Sequence, residues 1–160
     1  MKSLFSIILL LFSLSMFSKT NFNDTIITKL HGQGCGIIPS VQENNYNITL
    51  LENLQKTDSN NILLYRHLAM QYYFSWAREK NLILKEAWRQ KSINANLKVL
   101  KLHQYKKLFK NYTINNLLIL YCLAGDCKNT KLYFSLLNKK SKKNTDIGTL
   151  ALLKKNCNIK

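Results

Sequence analysis

Hydrophobic positions recur along most of this chain at three- and four-residue intervals, the spacing that gathers them on one side of an α-helix. Ile62, Tyr65, Leu68, Ala69, Tyr72, Tyr73 and Trp76 fall within an arc of about 140° on a helical wheel, with Arg66, His67, Gln71 and Arg78 outside it. An amphipathic helix with an aromatic seam is predicted there, capped by Asp58 or Ser59, with His67 on its surface. A second helix is expected near 82–93, with Leu84, Ala87 and Trp88 inward, and a third over about 97–110. In a fourth, at 114–123, Ile114, Leu117, Leu118 and Tyr121 share a face. Gly125 can then take the left-handed conformation that ends a helix, and Asp126 can cap the next one. A fifth helix runs to about Leu137 with Thr130, Tyr133, Phe134 and Leu137 inward. The lysine-rich 138–144 is a loop, and a sixth helix begins near Asp146 with Ile147, Leu150, Ala151 and Leu153 on its apolar side.

Turn-forming residues agree with this pattern. Gly32, Gly34, Gly36 and the single Pro39 are confined to the first quarter of the chain, and beyond Ser40 only Gly125 and Gly148 remain. A sandwich or barrel would need many more tight-turn residues. Residues 57–160 are therefore expected to form an all-α domain of about five to six helices, arranged as hairpins in a small repeat-like array or a bundle. Residues 19–56 are expected to be an irregular lead-in holding a short helix at 47–54. At 160 residues, the chain is long enough to bury one core.

The first 18 residues carry an address. Met1-Lys2-Ser3 precedes an apolar run from Leu4 to Phe17, which Lys19 closes before it reaches the ~20 residues of a membrane span. This is the pattern of a secretory signal peptide cleaved after Ser15 or Ser18. It predicts a secreted or periplasmic protein, the alternative being an uncleaved anchor. In such an oxidising compartment Cys35, Cys122, Cys127 and Cys157 are expected to form two disulfides, with three connectivities open. Either Cys122 or Cys127 can reach Cys157 on a following helix, leaving the other to tie down the lead-in through Cys35. No second cysteine pair or nearby histidine completes a zinc set around Cys122 and Cys127, so no metal or cofactor is expected.

Charge divides the chain unevenly. The net charge is +16, and residues 87–160 hold sixteen basic and two acidic side chains against seven and six in 19–86. A cationic surface made of Lys98, Lys101, Lys106, Lys107, Lys110, Lys139, Lys140, Lys142 and Lys143 could bind an anionic polymer or membrane. Lysines outnumber arginines 21 to 3, however, and phosphate recognition favours the planar guanidinium fork. Lys98 and Lys101 also fall inside the apolar arc of their helix, which argues for stems lying over apolar neighbours.

Ile114, Leu117, Leu118, Tyr121, Gly125-Asp126, Thr130, Phe134 and Leu137 follow the order of bulky, small, aromatic and Gly-Asp positions seen in tetratricopeptide repeats, and this stretch resembles that family. Tyr65, Leu68, Ala69 and Tyr72 repeat the first-helix half of the pattern. Leu118 and Thr130 stand where the family has small residues and alanine, and the two stretches lie 49 residues apart, so the repeat is degenerate. The resemblance implies a non-catalytic module that holds a protein or peptide partner. The aromatic side formed by Tyr65, Tyr72, Trp76 and Trp88 is the candidate surface, and self-association could supply what two hairpins lack in stability.

Catalytic chemistry finds little support. His31, His67 and His103 form no zinc-binding pair, and the chain has no phosphate loop, serine elbow or dinucleotide fingerprint. The expectation is an exported, helical, non-enzymatic interaction module, with the lysine surface as the alternative.

Overall fold

The computed structural model describes residues 38–102, 106–137, 142 and 147–159. The signal-like segment, the glycine-rich stretch with Cys35, and Lys139, Lys140 and Lys143 lie outside them. The described residues are helical with no strand, in six helices: α1 (Val41–Thr57), α2 (Ile62–Arg78), α3 (Leu82–Lys101), α4 (Lys106–Leu123), α5 (Cys127–Leu136) and α6 (Ile147–Cys157). Successive helices pack on one another along the chain, α2 against α3 most extensively, and α6 closes against both α4 and α5.

The polar residues between helices set their starts. Asn61 accepts from the amides of Leu63 and Leu64, and Asn81 does the same for Ile83 and Leu84, so each opens a helix as N-cap. Asn61, not Asp58 or Ser59, is thus the cap of α2; Asp58 instead accepts from the Asn61 amide group. Ahead of α1, Ser40 and Glu43 form a reciprocal capping box, Ser40 N–H donating to Glu43 Oε2 at 2.7 Å and Glu43 N–H to Ser40 Oγ at 3.2 Å. Hydrogen bonds from the Ser40 amide and hydroxyl hold the Glu43 carboxyl below its ordinary pKa. That box makes Val41–Thr57 a full 17-residue helix where a short one inside an irregular lead-in was expected.

The extra helix rewrites the burial of α2. Arg78 donates to the Pro39 carbonyl, and Asn44 Nδ2 donates to Ser75 Oγ at 2.7 Å. Ser75 and Arg78 belong to the same stripe of α2 as His67 and Gln71, so α1 covers the side left outside the apolar arc. His67 and Gln71 are both buried, against the expectation of a surface histidine.

Helix α3 also departs from the pattern. Helix α3 runs unbroken through the gap expected between 93 and 97, because no glycine or proline interrupts 82–101, and the helix expected over 97–110 is divided between the end of α3 and the start of α4, which continues through the fourth expected helix. The inward face of α3 is Ser92, Ile93, Ala95, Asn96 and Val99. Leu84 and Ala87, expected inward, are exposed.

Three apolar clusters fill the molecule. Ile48, Leu51, Leu64, Tyr65, Leu68, Tyr72, Ala95 and Val99 join α1, α2 and α3. Ile114, Leu118, Cys122, Leu137, Leu153 and Cys157 join α4, α5 and α6. Ile93, Leu117 and Leu120 lie between, with Tyr73, Tyr121 and Tyr133 packed against them. Helix α4 is buried on both sides and links the two halves.

At the α4–α5 turn Gly125 has φ of 74°, a conformation glycine adopts without Cβ strain, and Asp126 accepts from Asn129 N at 3.1 Å to cap α5. In α6 the buried stripe is Thr149, Leu153 and Cys157, so Leu150 and Ala151, expected on the apolar side, are exposed. A Cys127–Cys157 disulfide sets that stripe, tying the start of α5 to the end of α6 across 30 residues. Cys157→Ser should lower stability by about 2–4 kcal/mol in urea or thermal unfolding, because the bridge restricts the unfolded chain.

Candidate functional site

Tyr65 and Tyr72 stand two turns apart on α2 and form one wall of a groove of about 310 Å³, closed by Lys91, Ala95 and Lys98 of α3 and by Gln55 of α1. Both rings are buried, so what they offer the groove is mainly polar edges. Tyr65 Oη accepts from Gln55 Nε2 at 3.2 Å, and Tyr72 Oη–H donates to Glu52 Oε1 at 2.8 Å. Lys91 Nζ donates to the same carboxylate oxygen at 3.1 Å. Burial disfavours the charged form of Glu52, but the Tyr72 and Lys91 hydrogen bonds and the charges of Lys91 and Lys56 outweigh it and hold its pKa below the ordinary value. The Tyr72 phenol is pushed up, by burial first and by Glu52 second.

Trp88 joins these tyrosines, stacking on Tyr72 with ring centroids 5.9 Å apart. Trp76 does not. It packs on Tyr73 at 5.4 Å, under the ammonium of Lys85 at 5.5 Å. Three of the four expected aromatics therefore share a region, and two of those are core.

The lysines are dispersed. Lys98 lies 5.5 Å above the Tyr65 ring and Lys142 5.1 Å above Phe134, which belong to different clusters. Lys101 and Lys110 are exposed on α3 and α4. Lys106 and Lys107 fall in the first turn of α4, and their side chains are outside the described residues, as are Lys139, Lys140 and Lys143. Lys91, which sequence reasoning passed over, sits over both Tyr72 and Trp88, at 5.3 and 4.9 Å.

Two further cavities were not foreseen. One, of about 260 Å³, lies where α2, α3 and α4 meet, lined by Met70, Tyr73, Phe74, Asn96, Tyr112 and Asn116 among others. The other, of about 490 Å³, lies where the start of α1, the end of α2 and the start of α3 converge. Beside it Leu82 and Ile83 are 80% and 82% exposed. Three consecutive apolar residues at 82–84 span about 200° of a helix and cannot all face one core. That run was the available sequence signal.

Cys127 and Cys157 bridge α5 and α6, while Cys122 is buried in the α4–α6 cluster, its thiol 3.6 Å from the Leu152 carbonyl. Burial pushes the Cys122 thiol up, which suits a packed thiol more than a nucleophile. Cys35, expected to pair with either Cys122 or Cys127, lies outside the described residues. Among the described residues no group of three His, Cys, Asp or Glu could hold a metal ion, and no helix is long and apolar enough to cross a membrane. No model of a known protein family, no curated protein and no solved structure matches the chain.

The Glu52 contacts make a pH-dependent prediction. Because the folded-state pKa of Glu52 is lowered, its stabilising contribution is present above the unfolded-state pKa and is lost as pH falls through the folded value. Glu52→Gln should cost about 0.5–1 kcal/mol at pH 7, a small figure because both partners of the Lys91 pair are largely exposed. The difference from wild type should close as pH is lowered through the folded-state value, in urea titrations at several pH values.

Proposed function

We propose that this protein is a small exported interaction module of tetratricopeptide-like type, non-catalytic, that holds a protein or peptide partner. The observation that carries this reading is the packing order: α1 to α5 each pack on their chain neighbours, with α6 as a closing helix. Sequential packing of helical hairpins leaves grooves between successive helices open along the molecule, which is how repeat-type modules present binding surfaces. The three cavities described above all lie at such junctions, each lined by aromatic side chains and polar groups together. The signal-like N-terminus supports export, and a Cys127–Cys157 bridge suits an oxidising compartment.

A second reading, binding of an anionic polymer or membrane through lysine, is favoured by the few ion pairs. Among the described residues these join Arg89 with Glu86 and Lys91 with Glu52. Affinity capture of host proteins on the purified protein, at low and high salt with mass spectrometry, separates the two. The module reading expects one defined protein retained at high salt. Heterogeneous anionic material released by salt would overturn it in favour of the lysine surface, since counterion release makes such binding steeply salt-dependent. N-terminal sequencing of the exported protein should begin at residue 16 or 19, and a chain recovered intact in the membrane fraction would replace secretion with anchoring.

A further inference from the structure

The cavity where α2, α3 and α4 meet stands apart from the rest of the surface because it carries no charge. Charged residues make up 20% of the chain and its net charge is +16, yet among the described residues no Asp, Glu, Lys, Arg or His lines this cavity. Arg66, 4.9 Å above the Tyr112 ring, is not part of the lining. An ion entering would give up its hydration and find no counter-charge, so the occupant this lining suits is neutral.

Aromatic side chains form the walls. Tyr73 and Phe74 line the α2 side and Tyr112 the α4 side, with the Met70 thioether beside them. Tyr73, Phe74 and Met70 are half-buried and Tyr112 is 46% exposed, so each keeps surface that an occupant can touch. Neighbours outside the lining hold two of the rings, Trp76 packing on Tyr73 at 5.4 Å and Arg66 on Tyr112. Rings set in this way favour a flat aromatic occupant, which can stack on one and meet another edge-on.

The polar groups of the lining fall into two sets. On α3, Ser92 and Asn96 are buried, and the Ser92 hydroxyl and the Asn96 amide nitrogen are spent on the Ala69 and Ser92 carbonyls, so they serve the α2–α3 contact. Asn116, one turn beyond Tyr112 on α4, is half-buried and makes no hydrogen bond among the described residues. Its carboxamide, beside Ile119 and Leu120, offers an acceptor and a donor at one place on an otherwise apolar wall. An occupant with one polar edge matches that arrangement.

Volume sets the size. A cavity of about 150 Å³ holds one benzene ring. At about 260 Å³, this one has room for two fused rings.

Beyond the partner surface of the module, we propose that this cavity binds a neutral, fused bicyclic aromatic group, with its rings against Tyr73, Phe74 and Tyr112 and its polar edge on the Asn116 carboxamide. The group is carried either by a free small molecule or by a tryptophan of a partner.

Amide NMR titrations of the purified protein at about 0.15 M salt, where surface charge is screened, test this. The probes are indole, its isostere indene without the N–H, the anion indole-3-acetate, and a capped Ala-Trp-Ala peptide. Indole should bind and shift the Asn116 side-chain amide, with indene about fivefold weaker for want of one hydrogen bond. Indole-3-acetate should be at least about tenfold weaker for want of a counter-charge. A peptide that binds at least as tightly as indole identifies a partner's side chain as the source, and a weaker one identifies a free molecule. Asn116→Leu should abolish the preference for indole over indene, and Tyr112→Ala should weaken indole by about fivefold or more. Leu150→Asp, on the exposed surface of α6, should leave binding unchanged. Asn116→Leu carries the test if Tyr112→Ala loosens α4, because it keeps the size of the side chain. No binding at millimolar indole, binding of indole-3-acetate as tight as that of indole, or an indole preference that survives Asn116→Leu overturns the proposal.

Discussion

The contact on which the rest of the molecule depends is the close approach of α2 and α3. Ser92 Oγ–H donates to the Ala69 carbonyl at 2.8 Å, and Asn96 Nδ2 donates to the Ser92 carbonyl one turn away at 2.9 Å. These bonds let polar side chains sit buried on α3 without loss. Ala69, Ser92 and Ala95 are small, so the helices approach until the larger residues on either side of the seam meet neighbouring helices instead. Tyr65, Leu68 and Tyr72 turn to α1 on one flank. Ile93 turns to Leu117 and Leu120 of α4 on the other. The grooves are what remains where those outer helices do not reach the seam.

Sequence patterning identifies what depends on local chemistry. The scarcity of glycine and proline excludes a β fold, and the Ile114–Leu137 stretch is legible because Gly125 and Asp126 mark its turn unambiguously. What the pattern misses depends on tertiary contact. His67 and Gln71 read as surface residues because α2 alone shows one apolar arc, and only the docking of α1 reveals that a second side is covered. The pattern puts a break at 94–96, inside α3, where Asn96 is polar yet buried, and another before Ile114, inside α4. Leu84 reads as inward because its type is apolar, yet it stands in the first turn of α3, at the margin of the packed region. The same reasoning does not distinguish Trp76 from Trp88, since their difference is which helix lies opposite.

The C-terminal half solves a separate problem. Helix α6 is short and follows a lysine-rich connection, and its apolar stripe is narrow. The Cys127–Cys157 bridge fixes its end against α5, and Asn156 Nδ2 donates to the Cys122 carbonyl at 3.1 Å, sharing that acceptor with the Gly125 N–H of the turn that ends α4. Tyr121 stacks on Tyr133 across the α4–α5 hairpin, centroids 5.5 Å apart with planes 8° from parallel, a contact within the hairpin that does not involve α6.

The three arginines show where guanidinium geometry matters in a chain that otherwise uses lysine. Lysines serve as covers: Lys85, Lys91, Lys98 and Lys142 lie over aromatic rings, their stems adding apolar contact and their charges reaching outward. An ammonium does that as well as a guanidinium. The arginines do what a point charge does poorly. Arg66 lies 4.9 Å above the Tyr112 ring, joining α2 to α4. Arg89 engages both oxygens of Glu86 through two different nitrogens. Arg78 gives one guanidinium nitrogen to the Pro39 carbonyl and so tethers the start of α1 to the end of α2.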